Sequence, residues 1–168
     1  MRRLNQKGQL KISFGTIFSI ILIVIFISFA FYTIQKFLGV KNSIQLGKFS
    51  EDFQEDVNRV WNSAQGSEKK SYFIPNGVRL VCFADYLSNE RGENSNLYDE
   101  FILSFYNEEN LFFYPRESAE GFDSIEIRNL NLDKITEINN PYCIENKNGV
   151  VILTIKKDFN ENLVTITE

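Results

Sequence analysis

Residues Ile12–Gln35 read ISFGTIFSIILIVIFISFAFYTIQ, 24 residues without a charge, bracketed by Lys11 and Lys36. At a rise of about 1.5 Å per residue such a helix reaches roughly 36 Å, and the hydrocarbon core of a bilayer is about 30 Å thick. The stretch predicts one membrane-spanning helix, which we place at residues 9–38. The rest of the chain is not membrane-like. About 130 residues remain, enough for one independent hydrophobic core and too few for two comfortable domains.

Beyond the span the helical period continues. Phe49, Phe53, Val57, Val60, Trp61 and Ala64 recur at three- and four-residue spacing, while Glu51, Asp52, Glu55, Asp56 and Arg59 fill the other faces. Residues 39–66 therefore read as an amphipathic helix continuing from the span, with a bend near Gly39 or Gly47 and an end at Gly66 and Ser67. From Ser71 the period becomes that of strands. Tyr72 to Ile74, a Pro75-Asn76-Gly77 turn and Val78 to Ala84 give a strand, a turn and a second strand. Asp85 to Leu97 is loop-like. Phe101 to Tyr106 and Leu111 to Tyr114 flank a polar turn and read as an aromatic hairpin, with adjacent Phe112 and Phe113 pointing to opposite sides. A weaker strand covers Ser124 to Leu130, and the tail supplies strands at Val150 to Lys157 and Leu163 to Thr167, with alternation in Ile152, Thr154, Lys156 and in Val164, Ile166. The fold class is α+β: one long N-terminal helix followed by a mainly antiparallel sheet domain over residues 67–168, its sheet covering the amphipathic stripe.

Charge is segregated. The four charges of the first 11 residues are all basic, whereas all 22 acidic residues lie at Glu51 or later, opposed there by 11 basic ones, a net of −11. Such a surface repels a phosphate backbone, so no nucleic-acid partner is expected. Arg2, Arg3, Lys7 and Lys11 before the span outweigh Lys36, Lys41 and Lys48 after it, which favours a cytoplasmic N-terminus and an extracytoplasmic domain in the cell membrane. There a disulfide between Cys82 and Cys143 is permitted, worth about 4 kcal/mol for a loop of this size; two separate buried thiols fit the sequence equally.

Three kinds of N-terminal segment share this hydropathy. Ser28 and Ala30 have the spacing of a secretory cleavage site, but the apolar run continues through Phe31, Tyr32 and Ile34. An uncut anchor is the second. The third rests on Lys7, Gly8 and Gln9, set between a short basic leader and an uncharged helix. This arrangement resembles the class III signal of type IV pilins, especially that of archaeal pilin-like proteins. The resemblance covers residues 2 to 38 by motif and the remainder by architecture. It implies that residues 1–8 are a leader removed by a prepilin peptidase after Gly8, that Gln9 becomes the N-terminus, and that the helix stays on the mature protein. It also implies homo- or hetero-assembly through that helix. Many members carry a glutamate at the fifth mature position, where this chain has Ser13, and Lys11 occupies the third, a departure that suits a minor or pilin-like subunit.

Little in the chain points to catalysis. There is no histidine, which removes the commonest general base and metal ligand, and no CxxC, GxGxxG or phosphate-binding loop. Glu51, Asp52, Glu55 and Asp56 lie along one side of a helix and read as a solvated face in which Glu55 pairs with Arg59. Asp85, Glu90, Glu93, Asp99 and Glu100 lack EF-hand spacing. We expect a non-enzymatic structural subunit of the cell surface, with no cofactor and membrane lipid as its first partner. The alternative is an uncleaved single-pass membrane protein whose extracytoplasmic β domain binds a partner.

Overall fold

The structure is a computed structural model describing residues 13–102, 108–119 and 121–168. Lys7, Gly8 and Gln9 lie outside the described residues. The elements in chain order are α1 (Phe14–Trp61), β1 (Gly66–Phe73), β2 (Leu80–Phe83), α2 (Tyr98–Ile102), β3 (Leu111–Tyr114), β4 (Ser124–Ile125), α3 (Leu132–Ile135), β5 (Tyr142–Glu145), β6 (Val150–Lys157) and β7 (Thr165–Thr167). The chain divides into two compact units, Met1–Leu38 and Gly39–Glu168. In the first, the described residues are almost wholly helical.

In the second unit the core is built on one stripe of α1. Leu46, Phe49, Phe53, Val57 and Val60 are buried at the three- and four-residue spacing expected of one helix face. Gly39 and Gly47 fall inside the helix rather than ending it. The helix stops at Trp61, earlier than the expected residue 66, and Trp61 and Ala64 remain exposed. Polar side chains finish it: the Lys157 ammonium donates to the Trp61 and Ser63 carbonyls at 2.6 and 3.0 Å, and the Asn62 amide donates to the Asn58 carbonyl at 2.8 Å. These bonds satisfy carbonyls that a helix end leaves without partners.

Two antiparallel sheets cover the stripe, with strand orders β1-β6-β7 and β4-β3-β2-β5. In the first, β1 and β6 pair over eight residues, from Gly66 opposite Lys157 to Phe73 opposite Val150. Val151, Leu153 and Ile155 turn inward from β6. In the second, β2 lies between β3 and β5. Phe49 meets Tyr72 of the first sheet and Phe113 of the second, and Phe53 meets Tyr72 and Phe83, with ring centroids 5.4 to 6.0 Å apart. Two side chains of one helix thus join both sheets. Each buried phenylalanine contributes roughly 1.5–3 kcal/mol by leaving water.

Several expectations are corrected. The turn at Pro75–Val78 forms, with the Val78 amide donating to the Pro75 carbonyl at 3.1 Å, but the strands on either side enter different sheets. Phe101 and Ile102 are helical rather than extended, and the described partners of β3 are β2 and β4. Residues 103–107 lie outside the described ones. The strand expected over Ser124 to Leu130 is reduced to β4, because Asn110 substitutes for ladder partners further on: its side chain accepts from the Ile127 amide at 2.9 Å and donates to the Ile127 carbonyl at 2.8 Å. Phe112 and Phe113 do point to opposite sides. Phe113 enters the main core, while Phe112 joins Cys82, Ala84, Leu97 and Phe101 in a smaller cluster beneath α2. Burial on both faces explains why β2 and β3 read as unbroken apolar runs.

Candidate functional site

The residues that decide what this protein can do divide between the two units. In the first, the large apolar side chains from Phe14 to Leu38 are exposed, and α1 is long and apolar enough to cross a membrane. Three of its hydroxyls are satisfied internally. Ser19, Ser28 and Thr33 donate their hydroxyl protons to the carbonyls of Gly15, Val24 and Phe29, each at 2.8 Å. A hydroxyl bonded back to its own helix leaves no donor that demands water, which lets these residues sit in hydrocarbon.

In the second unit, Cys82 and Cys143 face each other on neighbouring strands and are joined by a disulfide. The bridge lies against Ala84, Phe101 and Phe112, and Cys82 is fully buried.

The carboxylates of α1 do not act as a group. Asp56 turns toward β1, where it accepts from the Tyr72 hydroxyl at 2.6 Å and pairs with Arg59 and, at 3.5 Å, with Lys70. Arg59 also holds Glu68 at 2.8 Å, so the expected Glu55–Arg59 pair is replaced by a network tying the helix to the edge strand. Burial pushes the Asp56 carboxyl up, but the Tyr72 and Arg59 contacts outweigh it and hold the group below its ordinary value. Burial, then the hydrogen bond to Asp56, raises the Tyr72 phenol. The Arg59 contact lowers Glu68. Glu51, Asp52 and Glu55 are exposed and have no ion-pair partner among the described residues.

Nor do the acidic residues of the long loop gather. Among the described residues no three histidine, cysteine or acidic side chains are placed to hold a metal ion. Asp85 is spent on its own turn, accepting from the Leu87 amide at 2.9 Å and the Ser88 hydroxyl at 2.6 Å. The organiser of that loop is Asn140, which sequence reasoning missed. Fully buried, it accepts from the Asp85 amide at 3.0 Å and donates to the Asp85 carbonyl at 2.8 Å, while its backbone exchanges two hydrogen bonds with Arg91. An asparagine before a proline gives no sequence signal of such a role, because its partners lie some 50 residues away.

An open groove of about 610 Å³ runs along α1, lined by Ile44, Gly47, Lys48, Glu51, Glu55 and Phe122 among others. The Phe122 ring lies over Gly47, 3.7 Å from where a Cβ would stand. The groove is open to its surroundings rather than an enclosed site.

The fold and these surfaces define an α+β protein with one helix able to enter a membrane and a disulfide-bridged β domain. In comparisons with known proteins, no family model, no curated protein and no solved structure matches the chain.

Proposed function

We propose that this protein is a pilin-like surface subunit, non-enzymatic and structural, anchored by a single pass of α1 with its N-terminus in the cytoplasm and its β domain outside. In this reading a prepilin peptidase removes residues 1–8, and the freed helix packs with other copies or with related subunits. The observation that carries the reading is the change of character along one helix. From Phe14 to Leu38 it exposes large apolar side chains, and from Leu46 to Val60 it supplies the core stripe of the domain. A subunit held together through its helix needs both properties in one element. The position of Lys7-Gly8-Gln9 directly before the apolar segment supports cleavage, the excess of early basic residues supports the orientation, and the disulfide fits an oxidising compartment.

The test is the intact mass of the protein isolated from native membranes, with and without Gly8→Val. A mass beginning at Gln9 that reverts to Met1 in the variant is the expected result. A wild-type mass beginning at Met1 would replace this reading with an uncleaved single-pass anchor whose β domain binds a partner.

A further inference from the structure

Two surfaces of the Gly39–Glu168 unit carry opposite charge and are laid out alike. The first is the groove along α1. Ile44, 66 % exposed, stands with Phe122 at one end, Lys48 follows, and Glu51, Asp52 and Glu55 stand toward the other end, where three carboxylates outweigh the one lysine. The second is the outer face of the β1-β6-β7 sheet. Alternation turns Phe73, 73 % exposed, Ile152 and Val150 outward at one end, and Lys69 and Lys156 outward at the other. Lys69 has no ion-pair partner among the described residues, and Lys156 meets only Asp158, at 2.9 Å. Exposed apolar side chains next to an excess of one charge mark a contact surface better than either feature alone.

The spacings agree. Along α1, Ile44 precedes Glu51 and Glu55 by roughly 10 and 16 Å at a helical rise of about 1.5 Å. Along the strands, Phe73 lies four residues from Lys69 and Ile152 four from Lys156, roughly 13 Å at a strand rise of about 3.3 Å. With the apolar ends together, the lysines of one surface fall opposite the carboxylates of the other.

Resting on the reading of this protein as an assembling subunit, we infer that the α1 groove of one copy receives the outer face of the β1-β6-β7 sheet of the next copy. Because the surfaces differ, the contact is heterologous. Each copy keeps one of the two free after pairing, so the contact propagates head to tail. Anchoring in one membrane raises the effective concentration of copies, which lets a modest polar contact decide their arrangement. Charge complementarity then supplies register more than raw affinity.

The experiment places benzoylphenylalanine at Ile152 in the full-length chain, irradiates intact membranes, and scores products by size and intact mass. The expected product is a homodimer with higher multiples. Glu51→Lys/Glu55→Lys and Lys69→Glu/Lys156→Glu each lower its yield about tenfold, and combining the four changes restores it to within about twofold. Where a double variant fails to form its disulfide, Lys69→Glu alone, at an exposed unpaired residue, carries the same test with a smaller loss. An unchanged yield in the reversals, no recovery in the combined exchange, no homodimer in the parent, or a cross-link to a different protein would each overturn the inference. The N-terminal mass of the same samples reports leader removal separately. A chain beginning at Met1 that still forms the charge-dependent homodimer sinks the processing reading and keeps this contact, whereas one beginning at Gln9 without it does the reverse.

Discussion

Replacing both cysteines, Cys82→Ala/Cys143→Ala, removes a cross-link that closes 61 residues of chain. In the chain-entropy description a loop of that size raises the free energy of the unfolded state by about 4 kcal/mol at 25 °C. Cys82 is also fully buried against Ala84, Phe101 and Phe112, so loss of its sulfur leaves a small void costing about 1 kcal/mol more. The sum, about 5 kcal/mol, matches the lower end of the 5–15 kcal/mol that holds a typical domain folded, so the variant is marginal at room temperature. The assay is a urea titration of the detergent-solubilised full-length chain followed by tryptophan fluorescence. Trp61 is the only tryptophan, and its indole N–H donates to the Asn162 carbonyl at 3.0 Å, so its emission reports docking of the helix end on the distant C-terminal segment. The midpoint falls, and the dependence on urea steepens because an unlinked chain exposes more surface when it unfolds. A loss under about 1 kcal/mol with an unchanged slope would refute the argument that this bridge acts on the unfolded chain.

Phe53→Ala, at the residue whose ring meets both Tyr72 and Phe83, costs about 3–5 kcal/mol in the same titration, whereas Phe159→Ala, at an exposed ring, stays within about 0.5 kcal/mol. Equal losses would show that the helix stripe is not the centre of the core. Asp56→Asn tests the network between α1 and β1. The Asp56 carboxyl sits below its unfolded value of 3.8 in the folded chain, so its stabilisation is complete above that value and is lost as pH falls through the folded one. The parent is therefore the more stable at neutral pH, and the gap to the Asn variant closes below about pH 4. A gap independent of pH between 7 and 2 would assign the effect to packing.

What is local in this chain was legible from its residues. The uncharged run to Gln35 and the spacing of Phe49, Phe53, Val57 and Val60 each repeat within one or two turns, so the helix and its buried face can be read from hydropathy alone. The β6 strand, alternating around Val151, Leu153 and Ile155, was as plain. The first half of β1 was invisible for a physical reason: Glu68 and Lys70 occupy places where an apolar residue would signal a strand, and they are accommodated because Asp56 and Arg59 wait on the helix. Phe101 misled because an aromatic run suits a strand as well as a short helix that caps a sheet. It became the latter because β2 and β4 already flank β3.

The sequence by itself determined the apolar segment, the amphipathic continuation, the α+β class and the scarcity of catalytic groups, since each depends on composition or on neighbours a few residues apart. Only the tertiary structure decided that β1 and β2 part into separate sheets, that Cys82 meets Cys143, and that Asn140 gathers the long loop. Those outcomes depend on pairings across 50 residues or more, where the loop-closure cost is nearly the same for many competing partners and the choice falls to how well buried faces and hydrogen bonds fit together.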